Sequence, residues 1–123
     1  ADTVVAGGGD DLALGGDGGD MIGGGSGADT LAGGAGNDAL WGEEGNDRLR
    51  GDSGQDTLIG DTGNDTIEAG GDQDWLIGGD GADSLLGGSG WDWLLGGAGA
   101  DSLDGGDEGD TLRGDAGNDA LQG

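Results

Sequence analysis

Aliphatic, acidic and glycine residues recur along this chain with a period of nine. From Ala6 to Gln122 the chain divides into thirteen nonapeptides without an insertion, and residues 1–5 form a half copy before them. The copy at residues 33–41, GGAGNDALW, shows the pattern, with Gly first, second and fourth, Asp sixth and Leu eighth. One aliphatic residue in nine is too sparse for a helix face, and the glycines disfavour a helix further. The pattern predicts a short strand at positions seven to nine, followed by a glycine-rich turn.

Two strand–turn units make one coil of eighteen residues. Stacked coils would place alternate strands in two facing parallel sheets, with the eighth-position side chains sandwiched between them. Those side chains are Leu or Ile from Ile22 to Leu121, with Val4 and Ala13 at the start. The predicted fold class is therefore all-β, a parallel β-roll of about seven coils that forms one domain over residues 1–123.

Composition argues against an ordinary globular core. Only 31% of the residues are hydrophobic, and 37 of the 123 are glycine, which is typical of chains that do not fold unaided. The 27 acidic residues, against three basic ones, give a net charge of -24. Nucleic acids and anionic membranes are poor partners for such a chain, whereas cations are favoured, and no segment is apolar enough for a transmembrane helix.

The sixth position is aspartate in every copy. Stacking predicts one row of aspartates along each edge of the roll. Neighbouring carboxylates about 4.8 Å apart would repel by about 1 kcal/mol per pair in water, and by more where solvent is excluded. Asp2 belongs to the half copy, and the aspartates of the full copies are Asp11, Asp20, Asp29, Asp38, Asp47, Asp56, Asp65, Asp74, Asp83, Asp92, Asp101, Asp110 and Asp119.

Calcium is the counterion that this pattern favours, because it accepts six or more oxygen ligands in flexible geometry. The aspartates would supply side-chain ligands, and the glycines would let the turns direct carbonyls inward. Neighbouring complete turns define about eleven sites, whose ions would nearly cancel the charge of -24. The candidate carbonyl ligands include those of Gly24, Ser26, Gly33, Ala35, Gly42, Glu44, Gly51, Ser53, Gly78, Asp80, Gly87, Ser89, Gly96 and Ala98.

The repeat GGxGxDxUx, in which U is a large aliphatic residue, resembles the calcium-binding nonapeptide of the RTX (repeats-in-toxin) family over essentially the whole chain. The resemblance implies a right-handed parallel β-roll that is disordered without calcium and folds on binding it. It also implies export from a bacterial cell, usually by type I secretion, and a structural role. Because the chain contains no His, Cys, Lys or Tyr, we expect no enzyme activity within it. The alternatives are the C-terminal roll of a secreted enzyme or toxin whose active domain lies elsewhere, and an idealised or designed roll.

Two kinds of departure from the repeat carry expectations of their own. Asp72 and Glu108 replace glycine at the fourth position, where we expect a positive φ and therefore distorted, weaker sites. Acidic residues also occupy the second position in four copies, at Glu43, Asp52, Asp61 and Asp115, and we expect these to be solvated.

The outward positions seven and nine differ between the two predicted sheets. One sheet carries apolar residues, among which three tryptophans are expected to line up, and we interpret this face as an interface with a second copy or a neighbouring domain. Simple packing along the strands and sugar stacking on the tryptophans are the alternatives. The predicted interface residues are Met21, Trp41, Ile59, Trp75, Ile77, Trp93 and Leu95.

Overall fold

The computed structural model describes all residues, 1–123, as two seven-stranded parallel sheets without a helix. Successive strands alternate between the sheets, so the first sheet holds the odd-numbered strands and the second sheet the even-numbered ones. The strands are β1 Thr3–Gly8, β2 Leu12–Asp17, β3 Met21–Ser26, β4 Thr30–Ala35, β5 Ala39–Glu44, β6 Arg48–Ser53, β7 Thr57–Thr62, β8 Thr66–Gly71, β9 Trp75–Asp80, β10 Ser84–Ser89, β11 Trp93–Gly99, β12 Ser102–Asp107, β13 Thr111–Gly117 and β14 Ala120–Gln122. With no helix present, there is none that could span a membrane.

The register confirms the predicted coil. Each residue pairs with the residue eighteen positions further along, as in Thr3 with Met21 and Trp93 with Thr111. The chain therefore completes one coil in two nonapeptides, and equivalent positions of alternate repeats stack directly above one another. The fold class inferred from the period, an all-β parallel solenoid of about seven coils, is confirmed.

The strands are longer than the sequence pattern predicted. Most contain six residues, from position seven of one repeat to position three of the next, instead of the three expected. The glycines at positions one and two extend the ladder because parallel pairing uses only the backbone N–H and C=O groups. Residues assigned to the turn on composition alone thus belong to the sheet, and the true turn is only about three residues long.

The core is a single file of aliphatic side chains between the sheets. Side chains at position eight are at most 1% exposed from Ile22 to Leu103, and each contributes about 1.5–3 kcal/mol by burial. Val4 and Leu112 are only partly buried, and Leu121 in the short β14 is 49% exposed. The prediction that position eight faces inward is therefore confirmed along the body of the roll, whereas the last coil leaves its leucine uncovered.

Glycine at the first position, present in eleven of the thirteen repeats, fits a close approach. A Cβ added at Gly78 would lie 2.3 Å from Oδ2 of Asp83 and 2.6 Å from the carbonyl oxygen of Gly96. Six further glycines along both edges face the same two groups, an aspartate of their own repeat and a carbonyl of the next coil: Gly15, Gly24, Gly42, Gly51, Gly60 and Gly87. Ala69 shows that the roll accommodates a methyl group at one such position, beside Asp74. The first-position glycine therefore leaves room for the buried carboxylate.

The backbone has positive φ at both the second and the fourth positions. The expectation for the fourth position is confirmed, since φ is 78° at Asp72 and 88° at Glu108. The second position was not anticipated: Glu43, Asp52 and Asp61 have φ of 76°, 78° and 80°. Glycines at the second position have φ near 110°, as at Gly34 with 111°. A side chain is thus accommodated by a smaller φ, close to the left-handed region that Asp tolerates best.

We expect Gly78→Ala to destabilise the calcium-saturated roll by about 1–3 kcal/mol, because the new methyl group would displace the Asp83 carboxylate or the Gly96 carbonyl. The measurement is urea unfolding followed by circular dichroism. Gly71→Ala is the matched control, because its Cβ would meet only the Ser89 hydroxyl, at 3.5 Å, and φ there is not positive. Equal stability of the two variants would contradict the steric role of the first-position glycine.

Candidate metal centres

The sixth-position aspartates form two continuous ladders, one along each edge of the roll. The backbone N–H of each aspartate donates a hydrogen bond to Oδ1 of the aspartate one coil further on, as from Asp20 to Asp38 at 2.7 Å. We name the edges after their first aspartate in a full repeat. The Asp11 edge holds Asp11, Asp29, Asp47, Asp65, Asp83, Asp101 and Asp119, and the Asp20 edge holds Asp2, Asp20, Asp38, Asp56, Asp74, Asp92 and Asp110. The predicted rows of stacked aspartates are present.

The second carboxylate oxygen has no hydrogen-bond partner. Oδ2 is buried and unpaired in every ladder aspartate except Asp2 and Asp119, at the two ends of the chain. Ten of these residues are at most 3% exposed. Leaving a buried polar group unpaired costs about 1–3 kcal/mol, and more when the group is charged. Twelve such atoms in a chain of 123 residues indicate a missing partner of opposite charge.

Carbonyl oxygens converge on the same space as Oδ2. A Cβ at Gly24 would lie 2.4 Å from Oδ2 of Asp29 and 2.9 Å from the carbonyl oxygen of Gly42 in the next coil. The same pair of oxygens surrounds Gly60, at 2.2 Å from Asp65 Oδ2 and 2.7 Å from the Gly78 carbonyl. Seven first-position glycines thus lie between a carboxylate oxygen and a first-position carbonyl of the next coil.

Third-position carbonyls border the turns as well. They accept one hydrogen bond from the fourth-position N–H of the preceding coil, as from Gly27 to Glu44 at 2.8 Å and from Gly81 to Ala98 at 2.8 Å. A carbonyl oxygen has two lone pairs, so each keeps one for a further ligand. Among the predicted carbonyl ligands, this bond is present for Ser26, Ala35, Glu44, Ser53, Asp80 and Ala98.

The turns with Asp72 and Glu108 lose this regularity. The fourth-to-third bond is absent from Gly54 to Gly71, from Asp72 to Ser89 and from Gly90 to Asp107, all on the Asp20 edge. On the Asp11 edge the bond is present in every turn from Gly9 to Gly81. The distortion expected of these two turns is therefore seen in the backbone, and weaker calcium binding beside them stays a prediction.

Burial raises the pKa of the central aspartates, although the N–H donors of the preceding coil oppose the shift. The pKa is about 6 for Asp56 and Asp65 and about 7 for Asp74, and it is also raised for Asp38, Asp47, Asp83 and Asp92. The three largest shifts lie midway along the roll. Loss of water around the carboxylate is the main cause, and the neighbouring aspartates of the ladder add to it. Protons or cations must therefore neutralise these groups for the roll to be favourable.

The donor set fits calcium. No three His, Cys, Asp or Glu side chains form a cluster that would hold a metal ion by side chains alone. The oxygens at each turn are instead one carboxylate per coil with backbone carbonyls, which are hard ligands of the kind that Ca²⁺ accepts. Ligand sets made largely of main-chain carbonyls explain why the signal in the sequence is glycine spacing and not a cluster of acidic residues.

A second ladder runs beside the first, and the sequence analysis missed it. Position-five side chains accept hydrogen bonds from the N–H of position five in the next coil: Oδ1 of Asn46 from Asn64 at 2.7 Å, and Oδ1 of Asn64 from Ala82 at 2.8 Å. Asp10 and Asn37 accept in the same way. The recurrence of Asn or Asp at position five was the available signal.

The acidic residues at position two lie outside the ladders. Glu43 and Asp61 are exposed, in agreement with the expectation that these residues are solvated. Asp52 forms an ion pair with Arg50 at 2.9 Å, and Asp115 forms one with Arg113. Such exposed pairs contribute little, about 0–1 kcal/mol.

The tryptophans of the first sheet do not form one line. Trp75 and Trp93 are register partners at position seven, whereas Trp41 lies at position nine, where it pairs with Gly23 and Ile59. The expectation of a single row was wrong because positions seven and nine both point outward but stack in separate rows. The predicted interface residues Met21, Ile59, Ile77 and Leu95 do lie in strands of this sheet.

A parallel β-roll with carboxylate and carbonyl oxygens gathered at stacked glycine-rich turns defines the class of calcium-binding repeat modules. The family model described as RTX calcium-binding nonapeptide repeat matches the chain four times, at residues 1–31, 23–58, 50–85 and 86–121. The chain belongs to this family, whose rolls are structural calcium-binding modules. No individual curated protein matches it.

We expect acidification from pH 7.5 to pH 5 to stabilise the calcium-free roll. The pKa values of Asp56, Asp65 and Asp74 are about 6 to 7 in the folded chain and 3.8 without the fold, so the folded form holds more protons between these values. This stabilisation is fully present below about pH 3.8 and is lost as the pH rises through about 6 to 7. Circular dichroism of the metal-free protein measures it as the β structure gained when the pH is lowered from 7.5 to 5.

Two control variants distinguish the effect of burying a carboxylate on the pH dependence from the effect of net charge. Asp74→Asn and Glu68→Gln remove the same charge, but only Asp74 is buried, so only Asp74→Asn is expected to flatten the pH dependence. A stability that rises with pH, or an equal effect of the two variants, would contradict the assignment.

Proposed function

We propose that the chain is an extracellular module that folds on binding about eleven calcium ions, held by the sixth-position aspartates together with carbonyls of positions one and three. The observation that carries the proposal is the set of twelve buried Oδ2 atoms without partners. They stack in two rows, one at each edge, beside the carbonyl oxygens of the first-position glycines. An ion bound between neighbouring turns would supply the positive charge that both rows lack.

Charge explains why folding would depend on the ions. The chain has a net charge of -24, and the aspartates within each ladder are joined coil to coil through hydrogen bonds. Folding without cations would bring these like charges together and remove water from them. Calcium binds the folded arrangement and not the dispersed chain, so its binding free energy becomes folding free energy.

The proposed dependence of folding on calcium also indicates in which compartment the chain folds. Extracellular calcium modules typically bind with dissociation constants of about 0.1–1 mM, well above cytosolic calcium concentrations. A chain of this kind would stay unfolded during export from a bacterial cell and fold outside it. In that setting the module completes secretion and stiffens the protein to which it belongs, whether that protein is an enzyme, a toxin or a structural assembly.

We expect calcium to convert the chain from disorder to β structure in a cooperative transition with a midpoint of about 0.1–1 mM. Circular dichroism during a calcium titration measures the transition. Magnesium is the matched control and should fail at the same concentration, because it demands octahedral geometry and keeps its water. The proposal would be contradicted if the chain were already folded after thorough removal of calcium, or if magnesium folded it equally well.

Asp65→Asn tests the role of the unpaired oxygen. Asparagine keeps Oδ1 as the acceptor for the Asp47 N–H, but it replaces Oδ2 with an NH₂ group beside the Gly78 carbonyl. We expect the stability in saturating calcium to fall by about 1.5–3 kcal/mol, and the slope of stability against the logarithm of calcium concentration to fall as well, because fewer ions are bound on folding. Asp61→Asn, in the same repeat but exposed, is the control and should leave both unchanged. A loss of stability with an unchanged slope would indicate a purely structural role.

The apolar outer face of the first sheet supports a second role in assembly. Val5, Met21, Trp75 and Trp93 are 76%, 52%, 53% and 51% exposed, and Ile59, Ile77 and Leu95 lie half-buried beside them. The second sheet also exposes Leu12, Leu14 and Leu86, but only the strands of the first sheet expose tryptophans, which are typical of contact surfaces. Sedimentation velocity during the calcium titration tests this role: a second copy binding here would raise the mass with folding, whereas a monomer at all concentrations argues against self-association.

A further inference from the structure

Three of the four tryptophans gather at one place on the Asp20 edge. Trp75, Trp91 and Trp93 line a groove of about 390 Å³, together with Gln55, Gln73 and Gly109. We name this the tryptophan groove. The three indole side chains are 53%, 66% and 51% exposed, so their ring surfaces are available to a ligand. None of the tryptophans belongs to the aspartate ladders.

The ring geometry favours a compact ligand. The rings of Trp75 and Trp93 meet edge to face, with centroids 5.0 Å apart and planes at 75°. The edge of one indole therefore packs against the face of the other, and Trp91, two residues before Trp93, adds a third aromatic side chain to the groove. Rings at this angle do not offer one flat surface for stacking a planar ligand, whereas a rounded cation can contact ring faces of different orientation.

Charge around the groove favours a cation. Asp72 and Glu108 are exposed, form no ion pair, and directly precede the lining residues Gln73 and Gly109. Their turns are the ones stacked immediately before and after the turn of Trp91 on the same edge. They are also the only turns of full repeats with an acidic residue at position four. Two carboxylates outside the calcium ladders therefore lie in the turns directly before and after that of Trp91 on this edge, while the ladder aspartates Asp56 and Asp92 line the groove itself.

The turns that contain Asp72 and Glu108 have a less regular backbone than the other turns. Both acidic residues adopt positive φ, which is unfavourable for residues with a side chain, and the fourth-to-third hydrogen bonds are absent from three successive turns around them. The loss of regularity coincides with the aromatic groove and occurs in no turn of the Asp11 edge from Gly9 to Gly81. A binding role for the groove accounts for both features together.

We propose that the tryptophan groove binds a small soluble ligand through a quaternary ammonium group. Such a group is positively charged, carries no N–H donor that would need a hydrogen-bond partner, and is attracted by the negative faces of indole rings. The amide groups of Gln55 and Gln73 are available to the polar remainder of the ligand.

The test is a titration of the calcium-saturated protein with choline, followed by NMR of the choline N-methyl protons. Ring currents are expected to shift these protons upfield on binding. Trp91→Leu keeps an apolar side chain but removes a ring, and it should weaken choline binding by about two- to fivefold. Trp41→Leu is the matched control, because Trp41 lies in the same sheet but outside the groove, and it should leave binding unchanged.

Two further comparisons separate cation recognition from simple hydrophobic contact. The neutral tert-butyl isostere of choline should bind more weakly than choline, and Glu108→Gln should weaken choline binding without affecting the isostere. Calcium-induced circular dichroism confirms folding of each variant, and Glu108→Gln provides the test if Trp91→Leu fails to fold. The proposal is overturned if choline shows no shift, if the isostere binds equally well, or if the Trp41 and Trp91 variants lose affinity to the same degree.

Discussion

The burial of a charged aspartate against the backbone of its own turn is the constraint on which this roll depends. One carboxylate oxygen accepts an N–H from the neighbouring coil, while the other is enclosed without a partner beside a first-position glycine. A Cβ at that glycine would approach the carboxylate closely, so the Gly and Asp of most repeats share one space, and only Ala69 places a buried methyl group there. Asp also has the right length, since its oxygen reaches the N–H eighteen residues away while its backbone stays in the turn.

Stability in this architecture is divided between a thin core and its two edges. The core is one aliphatic side chain per strand, and the parallel ladders on either side satisfy the backbone. Two rows of buried carboxylates oppose these contributions, and the raised pKa values of Asp56, Asp65 and Asp74 show that burial disfavours their charged form. A ligand that neutralises both rows therefore acts on the whole roll at once, because each ladder runs through every coil.

Much of this organisation could be predicted from the sequence, because the period of nine residues determines which positions stack. The two sheets, the inward leucines and the rows of aspartates all follow from it. The length of the strands could not be predicted from the period, because glycines at positions one and two carry no side-chain pattern and resemble a turn. The positive φ at Glu43 and the hydrogen bond from the Asn64 N–H to Oδ1 of Asn46 were not predicted either, because both depend on the direction of the backbone. Trp41 was assigned to the correct sheet, but its separation from the row of Trp75 and Trp93 was overlooked, although positions nine and seven of the repeat already distinguish them.

Departures from the repeat have effects beyond their own coil. Each residue stacks on the equivalent residue eighteen positions away, so an irregular side chain affects the coils above and below it. Asp72 and Glu108 demonstrate this, because the lost bonds extend from Gly54 to Asp107 across successive turns. The aspartate ladder itself is continuous through these turns, so the irregularity is confined to the backbone bonds beside it. Its coincidence with Trp75, Trp91 and Trp93 supports a recognition role for this end of the Asp20 edge, in addition to the role of both ladders in the fold.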